Sequence, residues 1–114
     1  MESSDAVSAL GALAQETRLA LFRLLVERGP DGYPAGEIAA ALAIPGPTLS
    51  FHLRALAQAG LVVARKESRF LYYSADFERM AALVAYLTEN CCARGGSCAP
   101  SCAPKKRTPR RKRR

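Results

Sequence analysis

A chain of 114 residues, 49% of them hydrophobic, has the size of one folding unit and leaves no room for a second independent core. It has no stretch of about eighteen apolar residues, and its opening Met1-Glu2-Ser3-Ser4-Asp5 carries acid where a secretory leader carries base; the expectation is a cytoplasmic protein with no membrane partner. The formal charge of +7 is unevenly placed, because eight of the seventeen Lys and Arg residues lie in 105–114 and the remaining nine face ten acids.

Residues 103–114 contain Pro104 and Pro109 and nothing apolar beyond Ala103, so they are expected to form a disordered basic tail. Such a tail either solubilises the chain or binds phosphate without reading sequence. Before it, residues 91–102 hold all four cysteines, Cys91, Cys92, Cys98 and Cys102. In a reducing compartment a cluster of this kind points to a metal or redox site more than to a disulfide framework.

In chain order, Val7, Leu10 and Ala14 recur at helical spacing over residues 5–15. Residues 17–28 are apolar nearly all round, which predicts a central core helix ending at Gly29-Pro30. Residues 35–42 read as a short helix, with Ile38 and Leu42 on one face. A tight connection at 43–47 follows, with Gly46 as cap and Pro47 as the first helical residue. The next helix runs to about Ala59, with Leu49, Leu53 and Leu56 inward and Thr48, Ser50, Phe51, His52, Arg54 and Gln58 toward solvent. Residues 61–64 and 70–74 read as a hairpin around Lys66-Glu67-Ser68-Arg69. Asp76 caps a last helix to about Asn90, with Met80, Leu83, Val84 and Leu87 in one stripe.

The resulting order, α-α-α-α-β-β-α over residues 1–92, is mainly helical with a small β-hairpin wing. Two short helices, a tight turn and a basic-tipped hairpin make a winged helix-turn-helix, whose second helix enters the major groove while the wing meets the backbone. Thr48, Ser50, Phe51, His52 and Arg54 become candidate base or phosphate contacts, with Lys66 and Arg69 on the wing. Blander roles stay open for three of them: His52 as a surface histidine bonded to a neighbour, Phe51 packed on the wing, and Arg54 as a solvated charge.

Leu13-Ala14-Gln15-Glu16-Thr17-Arg18-Leu19-Ala20-Leu21-Phe22, Thr48-Leu49-Ser50-Phe51-His52-Leu53-Arg54-Ala55-Leu56 and Ala59-Gly60-Leu61-Val62 together closely resemble the ArsR family of metal- and metalloid-responsive repressors. The resemblance covers roughly residues 5–92. It implies a homodimer built from the first and last helices that reads palindromic double-stranded operator DNA. One departure is that Pro45 and Gly46 stand where family members often place a capping serine.

The resemblance also bears on sensing. Zinc-sensing members use His, Asp and Glu pairs on the last helix, whereas this one offers Glu78 and Glu89 without histidine. Some arsenic-sensing members carry cysteines before the recognition helix, and residues 33–44 contain none. Cys91-Cys92-x5-Cys98 resembles the C-terminal site of one arsenite-sensing branch, which implies As(III) or Sb(III) as inducer. All-thiol ligation suits soft ions, and three thiols make a neutral unit with arsenous acid. If the last helix persists, Cys91 extends its apolar stripe and Cys92 turns about 100° away. Alternatives at the same thiols are zinc, cadmium or another soft ion, including a tetrathiolate that adds Cys102; disulfide redox sensing; and plain surface cysteines. An enzyme is not expected, since a thiol oxidoreductase wants Cys-x-x-Cys at a strand-to-helix turn and neither spacing nor setting occurs.

Overall fold

The computed structural model describes residues 1–95. Cys98, Cys102 and the basic tail, with the expectations attached to them, lie outside the described residues. Within them the order is α1 (Ser3–Leu13), α2 (Glu16–Arg28), β1 (Tyr33–Pro34), α3 (Ala35–Leu42), α4 (Gly46–Gln58), β2 (Val62–Glu67), β3 (Phe70–Ala75) and α5 (Phe77–Thr88). This is a winged helix-turn-helix, with one core beneath α4.

Each boundary has a local cause. The Glu2 amide donates to Asp5 Oδ2 at 3.2 Å and starts α1, two residues earlier than the apolar spacing suggests. Gln15 Oε1 accepts from the Arg18 amide at 2.9 Å to start α2, and Gly29 at φ 91° ends it. Alanines at 6 and 9 are buried, so the small side of α1 faces the core while Val7 and Leu10 point outward. Leu21, Leu25, Ile38, Leu49, Leu56 and Leu61 are fully buried. Each removes from water apolar area worth about 1.5–3 kcal/mol.

Between α3 and α4 the chain turns through Ala43 in the left-handed region, at φ 56° and ψ 48°. The Ala43 amide reaches Ala40 O at 3.3 Å and the Ile44 amide reaches Ala39 O at 3.1 Å, the two bonds of a Schellman motif. That turn sets the angle of the helix pair.

The sequence reading lacked β1. Tyr33 pairs with Tyr73 and Pro34 with Tyr72, giving the antiparallel order β1-β3-β2. Proline, which has no amide to donate, is tolerated because β1 is an edge. The wing is longer than expected: Lys66 and Glu67 pair with Leu71 and Phe70, leaving only Ser68 and Arg69 in the turn. Ser68, the first of the two turn residues, takes a positive φ of 59°.

Candidate nucleic-acid interface and thiol cluster

The outer face of α4 is set by its inner one. With Leu49, Leu53 and Leu56 buried, Thr48, Ser50, Phe51 and Arg54 are exposed, Phe51 by 60%. Pro45 rather than Gly46 precedes the helix, makes no side-chain cap, and leaves Pro47 one place inside. The first helical amide to find a partner is Leu49, on Pro45 O at 3.0 Å, so the start of α4 presents orphan donors of the kind that suit phosphate.

His52 departs from the sequence reading. It is 7% exposed, and its Nδ1 is buried without a hydrogen-bond partner among the described residues. The reason is geometric: three residues after Leu49 and four before Leu56, it falls inside the apolar arc at 100° per residue. Its ring meets Phe51 edge-on at 5.5 Å. His52 packs into the apolar arc of α4 instead of standing toward solvent. His52→Ala is expected to cost about 2–4 kcal/mol in urea denaturation as a cavity opens. His52→Leu, which removes the orphaned nitrogen, is expected to be neutral or stabilising. Equal destabilisation by both would show that the imidazole has a polar partner.

Between α4 and the sheet lies a groove of about 290 Å³ lined by Ser50, Leu53, Arg54, Ala57 and Tyr73. Tyr73 was not singled out from the sequence, because the signal for it is a tertiary one. The candidate wing contacts Lys66 and Arg69 are both exposed. Beside them Arg65, also missed, pins the wing to the turn after α2: its Nη1 and Nη2 donate to Pro30 O at 3.3 Å and Asp31 O at 3.0 Å. It also pairs with Glu67 at 3.1 Å and lies 5.2 Å from the Tyr72 ring centroid.

At the far end of α5, Thr88 Oγ1 donates to Val84 O at 2.9 Å and the helix stops there. Asn90 and Cys92 take positive φ, so the chain continues in turns and Cys91 does not prolong the apolar stripe. Both thiols are exposed, with their Sγ atoms 3.6 Å apart. The Cys92 thiol is pushed above its ordinary pKa, first by the hydrogen bond with Cys91, then by desolvation and the neighbouring charge. Val7, Leu10, Val84 and Leu87 are exposed on α1 and α5. A neighbouring apolar groove of about 380 Å³ between α2 and α5 shares Val84.

A helix pair locked by a left-handed turn, with polar and cationic side chains on the outer face of the second helix and a pinned wing beside it, defines a DNA-binding transcription regulator. A family model described as a helix-turn-helix domain matches residues 13–65. The transcriptional activator HlyU of Vibrio cholerae is 32% identical over 85 residues, 75% of this chain and 76% of that protein. Its solved structure superposes with a TM-score of 0.61, covering 76% of this chain and 97% of the other. A possible transcriptional regulator for arsenical resistance gives 36% identity and a TM-score of 0.60 over 70% and 80% of the two chains. A homodimeric winged helix-turn-helix DNA-binding domain from Mycobacterium bovis gives 29% identity and a TM-score of 0.60 over 84% and 89%. The chain belongs to the ArsR/HlyU-like winged helix-turn-helix transcription regulators. No helix among the described residues is long and apolar enough to cross a membrane.

Proposed function

We propose that the chain is a homodimeric repressor that binds operator DNA in its metalloid-free form and releases it when As(III) or Sb(III) binds the thiols at the end of α5. The observation that carries this reading is the adjacent, exposed pair of thiols at 3.6 Å. Two metal–sulfur bonds of about 2.3 Å each span that gap easily, so both sulfurs can bind one ion. Cys98 is the candidate third ligand. For the dimer, Val7, Leu10, Val84 and Leu87 form apolar surface of the kind that marks an interface, and the Mycobacterium bovis domain is homodimeric. For DNA, Thr48, Ser50, Phe51 and Arg54 read the groove while Lys66 and Arg69 meet the backbone.

The proton balance of binding separates the metalloid from the rival divalent ions. Arsenous acid condenses with three thiols, losing three waters and no net proton. Zinc or cadmium must displace thiol protons, so their affinity falls as pH falls. Titrating As(III), Sb(III), Zn(II) and Cd(II) into a protein–operator complex, followed by fluorescence anisotropy, tests both points. Release by As(III) is expected to change little between about pH 8 and about pH 6, while any response to Cd(II) weakens in acid as protons compete for the sulfurs. Release by zinc in preference to arsenite, with four sulfur neighbours in X-ray absorption, would overturn the metalloid reading in favour of the tetrathiolate.

A further inference from the structure

Gly60 follows α4 at φ +81°, and a Cβ built there would stand 2.8 Å from Arg79 Nε, 3.2 Å from Cζ and 3.3 Å from Nη2. The Arg79 guanidinium therefore lies against the backbone where the recognition helix exits, at the carboxyl end that favours a cation. Its Nε is buried with no hydrogen-bond partner among the described residues, so packing rather than a directed bond holds it there. Nη2 is 3.7 Å from Asp5 Oδ1 on α1, a half-exposed pair that contributes little energy but brings the first helix into the same contact. The start of α5 is tied to the same joint: the Asp76 amide donates to Leu61 O at 2.8 Å, and Asp76 Oδ1 accepts from the Arg79 amide at 3.1 Å.

We infer that Arg79 is the positioning residue that fixes the angle of α4 on the α1–α5 platform, and with it the half-site spacing that a dimer reads. The inference rests on the dimer reading of the proposed function, in which the exposed Val7, Leu10, Val84 and Leu87 of α1 and α5 form the interface. The lever is long. Thirteen residues of α4 extend about 20 Å from Gly60 at 1.5 Å each. A tilt of about 10° there moves the first turn by about 3.5 Å, roughly the rise of one base pair. Thr48, Ser50 and Phe51 are in the first half of the helix, so a small change at the joint appears as a spacing error.

The test begins with a palindromic duplex selected by the wild-type protein from a random library, then remade with one base pair added or removed at its centre. Wild type is expected to prefer the selected spacing by about tenfold or more, the scale of one mismatched pair. Arg79→Met keeps much of the side-chain bulk and loses the planar cation. It is expected to dimerise and bind an isolated half-site as wild type does, while its spacing preference collapses to about twofold or less. Arg79→Lys, which keeps the charge, is expected to fall between them and serves if Arg79→Met does not fold by circular dichroism. A merely structural role lowers thermal stability and all affinities together and leaves the ratio untouched; that result overturns the inference. A spacing-selective wild-type dimer whose Arg79 variants keep its preference overturns this inference alone. A monomeric wild type in sedimentation, blind to spacing, overturns the dimer reading as well.

Discussion

Replacing either Cys91 or Cys92 by serine is expected to raise the As(III) concentration needed for operator release by at least about a hundredfold, since even outer-shell changes at a metal site cost up to that much. Operator affinity without As(III) is expected to stay unchanged, because both thiols lie beyond the last turn of α5, which ends at Thr88, and far in sequence from the α4 face. Serine keeps the size and the hydrogen bond but replaces soft sulfur with hard oxygen, which As(III) binds poorly. The Cys91–Cys92 hydrogen bond also makes the two substitutions unequal before any ion is added. In Cys91→Ser the hydrogen bond that does most to raise the Cys92 pKa changes character, so alkylation of the remaining thiol by iodoacetamide reports the change directly. Cys98→Ser is expected to weaken release as well and Cys102→Ser to leave it intact. Full induction in both Cys91→Ser and Cys92→Ser would remove the pair from sensing.

The helices were legible because their boundaries rest on local chemistry. Asp76 caps α5 and Gly29 ends α2 through contacts spanning four residues or fewer, and the buried Leu49, Leu53 and Leu56 follow from the period of α4. His52 lies within the same period, and its angle on the helix, not its polar side-chain type, decides its burial. The end of α5 misled in the opposite direction. The apolar spacing of Leu83, Val84 and Leu87 continues onto Cys91, but Thr88 turns its hydroxyl back on Val84 O and Asn90 adopts a left-handed backbone, so the helix stops. β1 was invisible for a different reason. Tyr33 and Pro34 carry no period at all, and they are a strand only because Tyr72 and Tyr73, some forty residues on, offer them a ladder.

Of the candidate site, the exposed α4 and wing residues could be read from the sequence, and the adjacency of the two thiols is covalent. What holds those parts in place could not be read. Arg65 reaches carbonyls of Pro30 and Asp31, and Arg79 lies on Gly60; both contacts join elements distant in sequence, and a sequence pass sees only surface charge in either residue. The interface is thus composed of locally encoded faces set by tertiary arginines.

The same substitution at two glycines four residues apart is expected to give opposite results. Gly32 has φ +75°, and a Cβ on it would meet Tyr73 O at 2.6 Å, a backbone atom of the central strand that cannot swing aside. Gly32→Ala adds the strain of a left-handed alanine, about 1–2 kcal/mol, to overpacking of about 1–3 kcal/mol. Gly36 lies within α3, is exposed, and has nothing within 4 Å of its would-be Cβ. Gly36→Ala is expected to stabilise by about 0.5–1 kcal/mol, because alanine loses less backbone entropy in a helix. The functional consequences differ too. Gly32 O accepts from Arg28 Nε at 2.9 Å and the residue adjoins β1, so moving it loosens the β1–β3 pairing and the turn on which Arg65 anchors the wing. Gly32→Ala should therefore weaken operator binding beyond its loss of folded fraction, with faster amide exchange at Tyr72 and Tyr73, while Gly36→Ala leaves binding as it was. A Gly32→Ala protein as stable as wild type, with protected amides in β3, would mean that the sheet edge yields at little cost and that the wing does not depend on this turn.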